Sequence, residues 1–102
     1  MLKNFRTYNF AVNFYRQASF LKLPSHLRNQ LDRAASSIVL NLAEGSGRMA
    51  IKDKRHFFVI AMGSLRECQA ILSLCLNDIQ ELVSLADSLG AHLYRLIEHY
   101  NQ

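Results

Sequence analysis

From Gln30 to Gly45 the chain reads QLDRAASSIVLNLAEG. Its polar residues Gln30, Arg33, Ser37, Asn41 and Glu44 recur at steps of three and four, which places them in one stripe along a helix. At about 100° per residue they fall within an arc of roughly 80°. Most of the remaining positions are Leu, Ile, Val and Ala. A polar stripe between apolar flanks predicts a buried, hydrogen-bonded seam between helices rather than a wet outer face.

Similar periodicity runs through the rest of the chain. A first helix is expected from Lys3 to Leu21, with Phe10, Phe14 and Ala18 on a four-residue step, Ala11 and Leu21 beside them, and Arg6, Arg16 and Gln17 outside. Pro24 forces Leu23 out of the helical region, so the helix breaks over Lys22–His26. Either Pro24 as a first-turn residue or Ser25 as N-cap can open a second helix, expected from Ser25 to Glu44. Gly45–Ser46–Gly47 is expected to end it through the left-handed conformation that glycine tolerates. A third helix is expected from Ile51 to Leu76. Its segment HFFVIAMGSL, His56–Leu65, holds no charge except one on His56. A helix apolar on all sides cannot face water, so helix three, with helix two, is expected to pack against other subunits. Asn77 or Asp78 can cap a fourth helix, with Glu81 three residues after Asp78 as in a capping box. That helix runs to about Tyr100, with Ile79, Leu82, Val83, Leu85, Ala86, Leu89, Leu93, Leu96 and Ile97 as its apolar face. Gly90, in its middle, marks either a close helix approach or a bend.

With 102 residues, one Pro, four Gly and an apolar half, the chain fits one all-α domain spanning 1–102. Short connections favour an antiparallel up-and-down four-helix bundle. No apolar run is long enough for a signal-peptide core or a membrane span, which leaves a cytoplasmic protein without membrane contact as the expectation. Cys68 and Cys75 are seven apart on one helix, about 10.5 Å along it, too far for a mutual disulfide. His26, His92 and His99 form no metal pattern, and neither a metal nor another cofactor is expected.

Charge is distributed unevenly. Residues 1–66 hold eleven of the twelve Lys and Arg against three acids, a net +8; residues 67–102 hold one Arg against five acids, a net −4. The densest cluster is Arg48, Lys52, Lys54 and Arg55, the candidate nucleic-acid contact, since such cations neutralise phosphates with little sequence preference. A solvated helix end with ordinary solubility charges is the plain alternative. Arg6, Arg16, Lys22 and Arg28 could extend the patch. Among the interleaved aromatics, Phe5, Tyr8, Phe10, Phe14, Tyr15 and Phe20, most belong to the core, while Tyr8 or Tyr15 could stack on bases.

The spaced pattern Gln30–Arg33–Ala34, Ser37–Ile38, Asn41, Ala43–Glu44–Gly45, Gly47–Arg48, then Ala61, Gly63–Ser64–Leu65 and Glu67, resembles the four-helix bundle proteins known as 23S ribosomal RNA intervening-sequence proteins. The resemblance covers roughly residues 10–76. It implies a bundle that assembles as a homopentameric ring, and some family members are encoded within insertions in ribosomal RNA genes. A related group, the accessory variability proteins of diversity-generating retroelements, binds nucleic acid and a reverse transcriptase. The chain departs from the family at Ala50, where a Ser usually caps helix three, and at Lys54, where the family often has an apolar residue.

On helix three, His56, Gly63 and Glu67 share a face, with Ser64 nearby. An Arg33–Glu67 ion pair ringed by Ser37, Asn41, Glu44 and Ser64 is the expected structural network, since a buried charge must be paired. A catalytic alternative, with Glu44 or Glu67 as general base and His56 as shuttle, lacks a nucleophile motif and metal spacing. The sequence therefore points to a non-enzymatic oligomer, with no catalytic residue, that binds nucleic acid through a basic surface. It could serve as an accessory to a reverse-transcriptase or rRNA-associated system. The alternative is a structural or protein-interaction scaffold without nucleic-acid contact.

Overall fold

A computed structural model describes residues 5–76 and 78–101. Four helices follow in order: α1 (Arg6–Ala18), α2 (Ser25–Ser46), α3 (Ile51–Ser73) and α4 (Gln80–His99). Each packs against its sequence neighbours, and α1 meets α4, so the four enclose one core in an envelope of 41 × 23 × 22 Å. Phe14 of α1, Leu31, Ile38 and Leu42 of α2, Phe58 and Leu65 of α3, and Leu89 and Leu93 of α4 are fully buried there. The small residues Ala11, Ala34, Ala35, Ala61 and Ala86 fill the gaps between them. Among the described residues there is no strand.

The most extensive packing is between α2 and α3, and Gly45 explains how close it becomes. A β-carbon at Gly45 would lie 2.6 Å from Cε1 of Phe58 and 3.1 Å from Cβ of Phe57. This overturns the expectation that Gly45–Ser46–Gly47 ends α2 in a left-handed turn. α2 runs on through Ser46, Gly47 follows at φ −86°, and no described glycine has a positive φ. Lys54 supplies the end instead: its Nζ donates to the carbonyl oxygens of Gly45 (3.4 Å) and Ser46 (3.0 Å). A cation there satisfies terminal carbonyls and opposes the negative end of the helix dipole.

The other boundaries follow from equally local causes. α1 stops at Ala18, three residues before the expected end, and Lys3 lies outside the described residues. Arg28 clasps the connection that follows. Its guanidinium donates to the carbonyl oxygens of Ala18 (3.0 Å) and Leu21, and pairs with Asp32. Pro24 stands at the N-cap of α2 and gives its carbonyl to the amides of Leu27 and Arg28. With Ala50 in place of a capping Ser, α3 starts at Ile51 with no side-chain cap. It ends at Ser73, short of the expected Leu76. Asn77 lies outside the described residues, and Asp78 Oδ1 accepts from the amide of Gln80 (3.3 Å), where α4 begins. Gly90 is a close approach rather than a bend: a β-carbon there would sit 3.4 Å from Cδ2 of Leu65.

Both cysteines are free thiols. Burial and the nearby Glu67 charge push Cys68 up to about 12, and desolvation also raises Cys75, which is only half buried. The thiolate is the reactive species, and at pH 8 a pKa near 12 leaves only about one Cys68 in ten thousand ionised. Ellman's reagent is therefore expected to titrate Cys75 in the native protein and Cys68 only after unfolding; equal labelling rates would contradict the burial. A raised thiol pKa favours the folded state while the thiol stays protonated in both states. That contribution is lost as pH rises past the unfolded value of about 8.5 towards the folded one.

Candidate nucleic-acid interface

The polar stripe forms part of the expected network, but on the outside of the α2–α3 contact. Arg33 Nη2 pairs with Glu67 Oε2 at 2.6 Å, and Ser37 Oγ hydrogen-bonds Ser64 Oγ at 2.8 Å. Asn41 Nδ2 donates to the Ser37 carbonyl (2.8 Å) and hydroxyl (3.0 Å). Within the single chain this is not a buried seam: the Arg33 side chain is 66% exposed and Gln30 is exposed. The core side of α2 is taken by Leu31, Ala34, Ala35, Ile38 and Leu42, which leaves the stripe at the rim. Glu44 takes no part in the Arg33–Glu67 cluster. It pairs with Arg48 at 2.7 Å, and that guanidinium lies over the Phe57 ring, 4.7 Å from its centroid. His56 packs edge-on against Phe57 and bonds to neither carboxylate.

The four loop cations have separate fates. Lys52 is exposed, Arg48 is engaged by Glu44 and Phe57, and Lys54 caps α2. Arg55 is half buried, and its Nε is buried without a hydrogen-bond partner. Phe58 touches Phe5 (ring centroids 6.0 Å apart) and Tyr100 (5.7 Å), so the start of α1 and the end of α4 meet α3 beside this loop. Arg6 thereby joins the same end of the bundle. Arg16 and Arg28 lie at the other end, where Arg28 holds the α1–α2 connection, so the suggested patch extension fails for both. Along α4, Asp78 and Glu81 stand at the start, Asp87 in the first half and Glu98 in the last turn, beside Tyr100.

Most of the aromatics around α1 pack on the core as expected, while Phe20 is 82% exposed. Tyr8 is half buried beside Phe5, and Tyr15 is 38% exposed in a groove between α1 and α2. His92 packs on Phe10 (4.3 Å between centroids) and lies 2.8 Å from the Ser88 carbonyl. Sequence reading missed Tyr94, 62% exposed beside Arg66 and Arg95 in a groove between α3 and α4. Its signal was present but weak: Tyr94 falls outside the apolar stripe of α4, with Arg95 next to it. Among the described residues, no group of three or more His, Cys, Asp or Glu could hold a metal ion, and no helix is long and apolar enough to cross a membrane.

Four helices around one core define a helical-bundle protein. The chain belongs to the family of 23S rRNA-intervening sequence proteins, which it matches over residues 5–98. No curated protein matches it.

Proposed function

We propose that this protein is a non-enzymatic scaffold, an antiparallel up-and-down bundle closed into a homopentameric ring, that binds nucleic acid through its cationic end. The observation that supports the reading is the meeting of Arg6, Arg48, Lys52 and Arg55 at the end fastened by Phe58, where they outnumber the acids Glu44, Asp53 and Glu98 that share it. Repetition around a ring multiplies weak phosphate contacts into useful avidity. The family's association with an rRNA intervening sequence supports an rRNA-associated setting; an assembly containing a reverse transcriptase is the other setting, drawn from the resemblance alone. A protein-interaction scaffold is the second reading, favoured by the internal use of Arg48 and Lys54.

Anisotropy titrations of labelled RNA and DNA across a salt series separate the two. Replacing Arg6, Arg48, Lys52 and Arg55 by Gln is expected to weaken binding at least about tenfold and to reduce the salt slope by up to about four. Lys54 is left intact because it caps α2. Unchanged affinity and slope would remove the cationic end from the interface.

A further inference from the structure

The groove between α3 and α4 has a volume of about 350 Å³ and is lined by Arg66, Gln69, Asp87, Gly90, Tyr94 and Arg95, among others. Gly90 forms its floor: it is buried, and a β-carbon there would lie 3.8 Å from Nη1 of Arg66. Arg66 is held in place by a neutral partner, donating to Gln69 Oε1 at 2.7 Å, while Gln69 Nε2 donates to Asp87 Oδ1 at 3.3 Å. Asp87 also lines the groove, but it is linked to Arg66 through the Gln69 amide rather than by a direct ion pair. Arg95 is exposed and forms no ion pair. Tyr94 lines the same groove as both guanidinium groups and is 62% exposed.

We infer that this groove is a binding track for single-stranded nucleic acid, in which a base stacks on Tyr94 and the flanking phosphates meet Arg66 and Arg95. An exposed ring beside arginines is what sequence-tolerant single-strand binding requires, since every base has a face to stack and every linkage a phosphate. A duplex buries its bases and cannot use the ring. Beyond the groove, the same face of α3 runs towards the cationic end. Arg55 and Arg66 are eleven residues apart on α3, about 16 Å along nearly the same face. Arg55 keeps an unpartnered buried Nε at the far end of that line. The inference rests on the nucleic-acid reading above and specifies the form of nucleic acid and its path.

The test measures binding of a fluorescein-labelled single strand of about 12 nucleotides, within the usual site sizes, and of a duplex of the same length. The intact protein is expected to prefer the single strand. Y94A is expected to lose about tenfold in single-strand affinity and little for the duplex, while Y94F retains it. R66Q and R95Q are each expected to lower the salt slope by about one. The chain has no Trp, so stacking is also read as quenching of tyrosine emission that is lost in Y94F. Matching helical melts for all variants exclude unfolding as the cause. Equal affinity of Y94A, a preference for duplex, or displacement of the strand only by an acidic peptide would overturn the single-strand track and leave the cationic end standing. Failure of the intact protein to bind any nucleic acid would overturn both.

Discussion

Replacing Phe58 by alanine is expected to destabilise the protein by about 3–5 kcal/mol, the range for truncating a buried aromatic ring. A domain of this size has only about 5–15 kcal/mol in total, so the midpoint of thermal unfolding should fall by at least about 12 °C. Phe58 is 1% exposed, and its ring is where three other segments converge: Phe5 before α1, Gly45 near the end of α2 and Tyr100 after α4. The companion substitution is G45A. Alanine is favoured over glycine inside a helix by about 1 kcal/mol. Against this, overpacking costs about 1–3 kcal/mol, and the new methyl would stand 2.6 Å from a ring that is buried and cannot swing aside. Overpacking wins, so G45A should be less stable than the parent. With the ring removed the closest clash is gone and only the 3.1 Å approach to Cβ of Phe57 remains, so the G45A/F58A pair should lose less than the sum of the single changes, a coupling of at least about 0.5 kcal/mol. Urea denaturation followed by circular dichroism measures all four corners. A G45A protein more stable than the parent would show that the two helices can move apart.

The four elements were legible because their patterns are local. The apolar stripe of α1 and the Pro24 break are set by spacing and by a ring that fixes φ, and both appear where the periodicity puts them. The Arg33–Glu67 and Ser37–Ser64 pairs were legible too, since helical spacing on α2 and α3 presents the partners to each other. What failed needed three dimensions. Gly45 has the same sequence signature whether it ends a helix or admits a phenylalanine ring, and only the position of Phe58 decides. Lys54 and Arg28 read as surface charge, yet each bonds to backbone carbonyls eight or more residues earlier, or seven and ten, at separations no periodicity reveals. Whether a polar stripe is buried depends on what stands outside it, and the single chain leaves this one open.

That open stripe leads to the second large effect. L40E combined with I60E is expected to break the proposed assembly into single chains while leaving their helicity intact, as light scattering and circular dichroism would record. Leu40 is 66% exposed, and Val59 and Ile60 are 44% and 38% exposed on the neighbouring helix. The Ser37–Ser64 bond and the Gly45–Phe58 contact bracket Leu40 and Ile60 at one level of the α2–α3 pair. Gly63 lies one turn from Ile60, with no atom within 4 Å of where its β-carbon would be. An exposed glycine inside a helix costs about 1 kcal/mol relative to alanine, and nothing in its own chain uses the space it leaves. A neighbouring subunit seated on this face would use it, covering Leu40 and Ile60 and drying the Arg33–Glu67 pair. Full burial of each aliphatic side chain is worth about 1.5–3 kcal/mol, and a carboxylate in its place adds a desolvation penalty. Since about two thirds of Leu40 and two fifths of Ile60 remain to be buried, the pair of changes should weaken association at least about tenfold, whereas exposed substitutions alter a single chain's own stability by about 0.5 kcal/mol or less. G63A sharpens the test by opposing two effects: it should stabilise the isolated chain by about 1 kcal/mol and weaken the assembly. An oligomer unchanged by both variants would place the subunit contact on another face.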